Sequence, residues 1–153
     1  MNCWINIDKN SDFSIYNLPF GIFSVDNSEK KIGIAIGDLI IDLSQLSALG
    51  LFKTIDFDYQ VLKSNYLNDF ISLGKEITVE LRHLIQKELC NEKSILKNNL
   101  QVFINKKDAK MHLPVKVGDY TDFYSSMEHA RNIGTMFRDP KNALLPNWKH
   151  LPV

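Results

Sequence analysis

The stretch KIGIAIGDLIIDL, residues 31–43, carries the strongest local signal in the sequence. Three isoleucines alternate with glycine or alanine in its first half, and a second apolar run follows at residues 39–43. The Gly37-Asp38 pair between the two runs supplies the positive φ angle that a tight hairpin turn requires. The stretch therefore predicts a β-hairpin. The small residues on one face of its first strand should let another backbone or sheet approach closely.

Weaker strand signals lie on both sides of this hairpin. The segment from Phe20 to Val25 follows a proline and precedes a polar cluster at residues 26–29, which predicts a strand and a turn. Leu100 to Ile104 is a second candidate strand. The lysine-containing residues 105–110 that follow it are interpreted as a polar connector, because an aspartate interrupts them and three lysines are few for a binding patch.

The middle of the chain has a helical period. A short helix is predicted around residues 67–71, with Ser64 as its cap and Gly74 at its end. From Lys75 to about Asn91, apolar residues recur at helical spacing and charged residues occupy the opposite face. This pattern predicts an amphipathic helix that lies on the strands.

Composition excludes several classes of protein. The 153 residues contain 18 Lys and Arg against 18 Asp and Glu, so the surplus of positive charge that nucleic-acid binding uses is missing. The longest apolar stretch falls far short of the roughly 20 residues of a membrane span, and the first residues lack the pattern of a signal peptide. We therefore expect a cytoplasmic protein. Cys3 and Cys90 lie far apart in sequence and are expected to be free thiols.

Residues 118–139 concentrate side chains that carry chemistry. Carboxylate oxygens of this segment suit hard cations such as Mg²⁺ or Ca²⁺. His129 has the properties of a general base near neutral pH, and Arg138 can hold a carboxylate through two hydrogen bonds. Spacing alone leaves a second interpretation open, in which His129 beside Glu128 is a solvated or structurally satisfied histidine. Ser125 and Ser126 are interpreted as loop hydrogen-bonding residues rather than nucleophiles.

The stretch GDYTDFYSS at residues 118–126, followed by HA at 129–130 and MFRD at 136–139, closely resembles the fumarylacetoacetase family. The resemblance covers nearly the whole chain and is weakest between about residues 45 and 110. A match of this length is far more specific than a short motif. The stretches that carry it are SDF (11–13), NLP (17–19), AIGD (35–38), DLS (42–44), MHLP (111–114), GDYTDFYSS (118–126), HA (129–130), MFRD (136–139), NAL (142–144), PNW (146–148) and HLPV (150–153).

The resemblance implies a fold and a division into domains. Residues 1–113 would form a small SH3-like barrel, to which the amphipathic helix belongs. Residues 114–153 would be the beginning of a catalytic domain built as a mixed β-roll, which dimerises in the family. The expected class is thus mainly β within α+β.

The resemblance also implies an activity and the residues that perform it. The family hydrolyses a carbon-carbon bond of 4-fumarylacetoacetate to give fumarate and acetoacetate, the last step of tyrosine and phenylalanine breakdown. Matched by motif, His129 is the catalytic base, Tyr124 and Arg138 contact the substrate, and Asp122 is the first ligand of a Mg²⁺ or Ca²⁺ ion. The expected partner is this small-molecule substrate, with neither nucleic acid nor membrane.

The family pattern continues past Val153, and the chain ends as though cut. The further metal ligands, the acidic partner of His129 and the lysine that meets the leaving group match no residue here. We therefore expect the chain alone to be inactive. Two alternatives remain: a non-catalytic barrel module that docks to a partner chain, and a related hydrolase acting on acylpyruvates or other diketo acids.

Overall fold

The chain divides into two compact units, residues 1–116 and residues 117–153. A computed structural model describes residues 3–26, 28–121 and 125–150. Sheet and helices both occur in these ranges, which confirms the α+β class, and the helices contain more residues than the strands. The assignment of the two units to a barrel domain and to the start of a catalytic domain stays a prediction.

A five-stranded antiparallel sheet is the centre of the first unit as far as the structure describes it. The predicted hairpin is confirmed, because Ile36 pairs with Leu39 across a turn in which Gly37 has a φ angle of 55°. The strand order is β4-β3-β2-β1-β5. The strands are β1 (Phe20–Val25), β2 (Lys31–Ile36), β3 (Leu39–Asp42), β4 (Phe103–Asn105) and β5 (Ala109–His112).

The two faces of the sheet are packed differently. One face contributes five buried isoleucines to the main core, at positions 22, 32, 34, 36 and 41. On the other face, a Cβ atom at Gly33 would lie 2.8 Å from Cε1 of Phe23 and 2.6 Å from Cγ2 of Ile40. The small residue therefore accommodates two side chains of neighbouring strands, whereas the sequence led us to expect the close approach of another backbone or sheet.

The predicted amphipathic helix is present as α3 (Gly74–Leu89). Its buried residues Leu81, Ile85 and Leu89 belong to the same core as the sheet isoleucines. Two polar side chains of the helix also hold the segment before β1, since Arg82 Nε donates to the Leu18 carbonyl at 3.1 Å and Gln86 Nε2 to the Ile15 carbonyl at 2.8 Å. The other α-helices are α1 (Leu43–Ala48), α2 (Asn68–Ser72) and α4 (Met127–Phe137).

Three local predictions need correction. Ser64 does not cap α2, because it closes the preceding 3₁₀ helix at Tyr59–Lys63 and its hydroxyl donates to Asp69 at 2.8 Å. Residues Leu100–Val102 form a 3₁₀ turn, so the strand predicted from Leu100 begins only at Phe103. The connector predicted for residues 105–110 ends in β5, which pairs with β1.

The second unit contains α4 and two 3₁₀ helices, Pro140–Asn142 and Pro146–Lys149, among its described residues. Gly134 of α4 lies directly against the backbone of Ala143, and a Cβ atom at this position would overlap the Ala143 carbonyl oxygen. Throughout the described ranges, helices with the length and apolar content to cross a lipid bilayer are absent.

Candidate functional site

Ser126 caps helix α4, which begins at Met127, and this cap positions His129. The Ser126 hydroxyl oxygen accepts a hydrogen bond from the backbone N–H of His129 at 3.3 Å. His129 is therefore the third residue of the helix, and its side chain is exposed. The interpretation of Ser126 as a hydrogen-bonding residue fits this role, since a serine cap satisfies a backbone donor that the first turn leaves unpaired.

Glu128 completes the start of the helix. Its carboxylate accepts a hydrogen bond from the Ser126 hydroxyl at 3.1 Å. The pKa of Glu128 is lowered, first by its own backbone N–H and then by the Ser126 hydroxyl, with a further contribution from Arg131. A negative charge at this position is also favoured by the helix dipole. Glu128 thus has a structural role in starting α4 beside the predicted base.

Arg138 lies at the opposite end of the same helix. Its backbone N–H donates to the Gly134 carbonyl at 2.9 Å, and its guanidinium Nη1 lies 3.5 Å from the Ala143 carbonyl oxygen. The side chain borders a hollow of about 290 Å³ between α4 and the segment that follows it. The walls of this hollow are mainly apolar and include Ile133, Phe137 and Trp148.

The structure does not bring the two described site residues together. His129 lies in the first turn of α4 and Arg138 directly follows its last residue, so the nine positions between them correspond to roughly 13 Å at about 1.5 Å per residue. His129 is not among the residues that line the hollow beside Arg138. The other two predicted site residues, Asp122 and Tyr124, lie outside the described residues.

A cation site is not assembled by the residues that the structure describes. Among them, a group of three or more His, Cys, Asp or Glu side chains able to hold a metal ion is absent. Ca²⁺ takes six to eight oxygen ligands in proteins, whereas Mg²⁺ takes six, of which one or two are usually carboxylates and several are waters. The described residues therefore do not fit a complete Mg²⁺ or Ca²⁺ site.

Sequence reasoning missed the most strongly buried charge of the first unit. Asp42, which is fully buried, caps α1 by accepting hydrogen bonds from the backbone of Ser44 at 2.9 Å and of Gln45 at 3.2 Å. It also accepts a hydrogen bond from Lys31 Nζ at 3.0 Å. Burial by itself would raise the pKa of Asp42, but hydrogen bonds from the Ser44 hydroxyl, Lys31 and the Gln45 backbone, together with the Lys31 charge, outweigh it and the pKa is lowered. A D-x-x-Q pattern after the hairpin, residues 42–45, was the available sequence signal.

Comparison with known proteins identifies the relatives of this chain. A family model described as "Fumarylacetoacetase N-terminal" matches residues 16–114, which is more than half of the chain. The chain belongs to the fumarylacetoacetase family. The curated fumarylacetoacetase of Dictyostelium discoideum is 45% identical over 158 aligned residues, which cover 100% of this chain and 37% of the relative. The fumarylacetoacetase of Homo sapiens is 43% identical over 155 residues, which cover 98% of this chain and 37% of the relative.

The relatives are longer than this chain. The Arabidopsis thaliana fumarylacetoacetase is 38% identical over 100% of the chain, and here too only 38% of the relative is covered. The chain therefore spans little more than a third of the length of the curated fumarylacetoacetases it matches. Its aligned part includes α4, so the similarity continues past residue 114, where the match to the family model ends.

Proposed function

We propose that this chain contributes the amino-terminal part of a hydrolase that cleaves the carbon-carbon bond of 4-fumarylacetoacetate to fumarate and acetoacetate. The observation that carries the proposal is the similarity to proteins named fumarylacetoacetase, at 38–45% identity, along the whole chain. The family model alone would support only an amino-terminal domain, because it ends at residue 114. The curated alignments add the segment with His129 and Arg138.

His129 is proposed as the base that activates water. In hydrolysis of a diketone, water adds to a carbonyl carbon, and the adjacent carbon leaves as an enolate. An imidazole in hydrogen-bond reach of the water takes its proton as the new carbon-oxygen bond forms, and such a base contributes a factor of about 10² to 10⁴ to the rate. The Ser126 cap fixes the backbone of His129, and the exposed side chain is accessible to water and substrate.

Arg138 and Tyr124 are proposed to hold the substrate. A guanidinium pairs with a carboxylate through two parallel hydrogen bonds, which fixes both distance and orientation. The substrate carries a carboxylate at each end of an extended chain. The separation of Arg138 from His129 along α4 is therefore compatible with one residue holding a terminal carboxylate while the other acts at an internal carbonyl.

Binding of Mg²⁺ or Ca²⁺ with Asp122 as a ligand is part of the proposal. Isothermal titration of the 153-residue chain should give weak affinity for either cation. One carboxylate of a site with several ligands cannot replace the hydration shell of a hard cation. Micromolar binding that Asp122→Ala abolishes would show that this chain holds the site by itself.

The proposal is tested first by sequencing the gene beyond the codon for Val153 and then by assaying the encoded protein. An open reading frame that continues past Val153 is expected, and the protein it encodes should consume 4-fumarylacetoacetate with stoichiometric release of fumarate. We also propose that this longer protein is a cytoplasmic homodimer, to be checked by light scattering and by fractionation. A stop codon directly after Val153 would favour the non-catalytic module. Hydrolysis of acylpyruvates in preference to fumarylacetoacetate would favour the related diketo-acid hydrolase.

A further inference from the structure

The first described residues of the chain are fixed to the end of helix α3. The backbone N–H of Trp4 donates to the Leu89 carbonyl at 3.1 Å, and the indole Nε1–H donates to the Glu88 carbonyl at 3.0 Å. The indole also meets the ring of Phe103 edge-on, with centroids 5.8 Å apart. Trp4 therefore anchors the segment on both the helix end and β4.

This anchor brings together two cysteines that are 87 positions apart in sequence. The peptide unit that donates the backbone hydrogen bond joins Cys3 to Trp4, and the unit that accepts it joins Leu89 to Cys90. Standard bond lengths plus this hydrogen bond place the two Cα atoms at most roughly 8 Å apart. Disulfides span Cα separations of about 4.4–6.8 Å, so the hydrogen bond places the two Cα atoms in or near that range.

The environment of the sulfurs is consistent with this proximity. Both cysteines are free thiols and half-buried. Burial raises the pKa of the Cys3 thiol, a hydrogen bond from the Ile5 backbone opposes this effect, and the nearby Cys90 raises the pKa further.

We propose that Cys3 and Cys90 are a modification site, at which a low-molecular-weight disulfide oxidises the two thiols to an intramolecular disulfide. One thiolate attacks the small disulfide, forms a mixed disulfide and releases one small thiolate. The second cysteine thiolate then attacks the protein sulfur of the mixed disulfide and releases the second small thiolate. The two protons of the cysteines end on the two released thiols, and the two electrons reduce the small disulfide.

The bond would stabilise the first unit. It would close a loop from residue 3 to residue 90, which contains β1, β2, β3 and α3. Closing so long a loop restricts the unfolded chain strongly, so the oxidised form should unfold at a temperature higher by roughly 5 °C or more than the reduced form. The inference does not depend on the proposed hydrolase function, because neither cysteine belongs to the predicted catalytic residues.

The experiment compares the full chain with its Cys3→Ser and Cys90→Ser variants after incubation with oxidised glutathione. In the unsubstituted chain both thiols should disappear, and peptide mapping should find a Cys3–Cys90 crosslink within a monomer. Each variant should instead keep a stable mixed disulfide with glutathione, because the resolving thiol is missing. Only the unsubstituted chain should show the rise in unfolding temperature, and dithiothreitol should reverse it.

Three results would overturn the proposal. One is a mixed disulfide that persists in the unsubstituted chain, and another is a disulfide-linked dimer in place of the internal crosslink. The third is a pair of thiols that stays reduced under conditions in which the denatured chain oxidises completely. Mapping of the unsubstituted chain decides between these results even if a serine variant fails to fold.

Discussion

Asp42 shows what a single buried carboxylate does for this fold. It ends β3, caps α1 and receives the Lys31 ammonium, so it connects strand β2, strand β3 and helix α1. We expect Asp42→Ala to lower the free energy of unfolding by about 2–3 kcal/mol, because a helix cap is lost and buried donors lose their acceptor. Urea denaturation measures this loss.

The control for this prediction is Asp58→Ala. Asp58 also caps a helix, by accepting a hydrogen bond from the Gln60 backbone at 2.9 Å, but it is exposed to solvent. Water can replace its hydrogen bonds, so we expect a loss of about 1 kcal/mol or less. Equal losses for the two variants would contradict the role assigned to burial at Asp42.

The lowered pKa of Asp42 also gives a pH dependence with a definite sign. The folded state binds this proton less tightly than the unfolded state, where the pKa is about 3.9. The stabilisation is therefore complete above the unfolded pKa and is lost as the pH falls through the folded pKa. Acid unfolding of the unsubstituted chain should accordingly be steeper than that of Asp42→Asn, and parallel curves would contradict the assignment.

Gly33 tests how tightly the second face of the sheet is packed. An alanine Cβ there would lie within 3 Å of both Phe23 and Ile40, so Gly33→Ala should cost about 1–3 kcal/mol of stability. Gly21 is the matched control, since it pairs directly with Gly33 and a Cβ there would meet only the flexible end of Met111, at 3.3 Å. A Gly21→Ala variant as unstable as Gly33→Ala would exclude this explanation.

At the scale of elements, sequence prediction succeeded where the signal is local. The hairpin of β2 and β3 is specified by its own alternation and by Gly37, and α3 by sixteen residues of continuous helical pattern. Strand β5 could not be predicted in this way, because Ala109–His112 has weak strand character and becomes a strand by pairing with β1. Leu100 was misassigned for a related reason, since a short apolar run does not distinguish a strand from a 3₁₀ turn.

For the candidate site, too, the sequence predicts some features and leaves others to the structure. Residue types alone left His129 open between a base and a solvated histidine, and only the resemblance to a family assigned it a role. The structure adds that Ser126 and Glu128 start helix α4, so that His129 lies near its first residue and Arg138 directly after its last. A pattern of residue types gives the order of functional groups along the chain, and their distance follows only when it is known that a helix, here Met127–Phe137, spaces them.

Helix α4 itself depends on Gly134. In an exposed helix, Gly→Ala is stabilising by up to about 1 kcal/mol, because glycine has the larger backbone entropy to lose. Here the added methyl group would collide with the Ala143 carbonyl, so Gly134→Ala should instead speed hydrogen-deuterium exchange throughout residues 127–137. Asn132→Ala, at an exposed position of the same helix, should leave exchange unchanged or slower. Faster exchange in both variants would mean that the contact with Ala143 is not responsible.

At the scale of the whole molecule, the boundary between the two units should be visible to proteases. From the sequence we expect the first cut between about residues 105 and 120, and the structure narrows this range. Strand β5 is paired with β1, and Pro114 and Lys116 are hydrogen-bonded to the start of α2 through Leu67 and Asn68. Residues 117–121 are exposed and lie in neither helix nor strand.

A nonspecific protease should therefore cut first within residues 117–121 and leave a resistant fragment that ends near Lys116. Mass spectrometry of the early products identifies the site. First cuts within residues 109–112 would contradict the pairing of β5, and a resistant species of full length would contradict the division into two units.

If His129 is the catalytic base and Arg138 binds the substrate, substitutions of the two residues should change different kinetic constants of the longer enzyme that we propose. His129→Gln should lower kcat by a factor on the order of 10² to 10⁴ with little change in KM, because a positioned base acts on the transition state. Arg138→Lys should mainly raise KM, since the charge remains while the planar fork that pairs with a carboxylate is lost.

Two matched substitutions separate these effects from damage to the fold. His83→Gln and Arg131→Lys make the same chemical changes at exposed helical positions outside the predicted site, and neither should alter kcat or KM. All four variants should keep the unfolding temperature of the unsubstituted enzyme, because neither His129 nor Arg138 is buried. If His129→Gln and Arg138→Lys instead lose activity in proportion to a shared loss of stability, both residues brace the segment around α4. The proposed base would then have to be sought elsewhere in the enzyme.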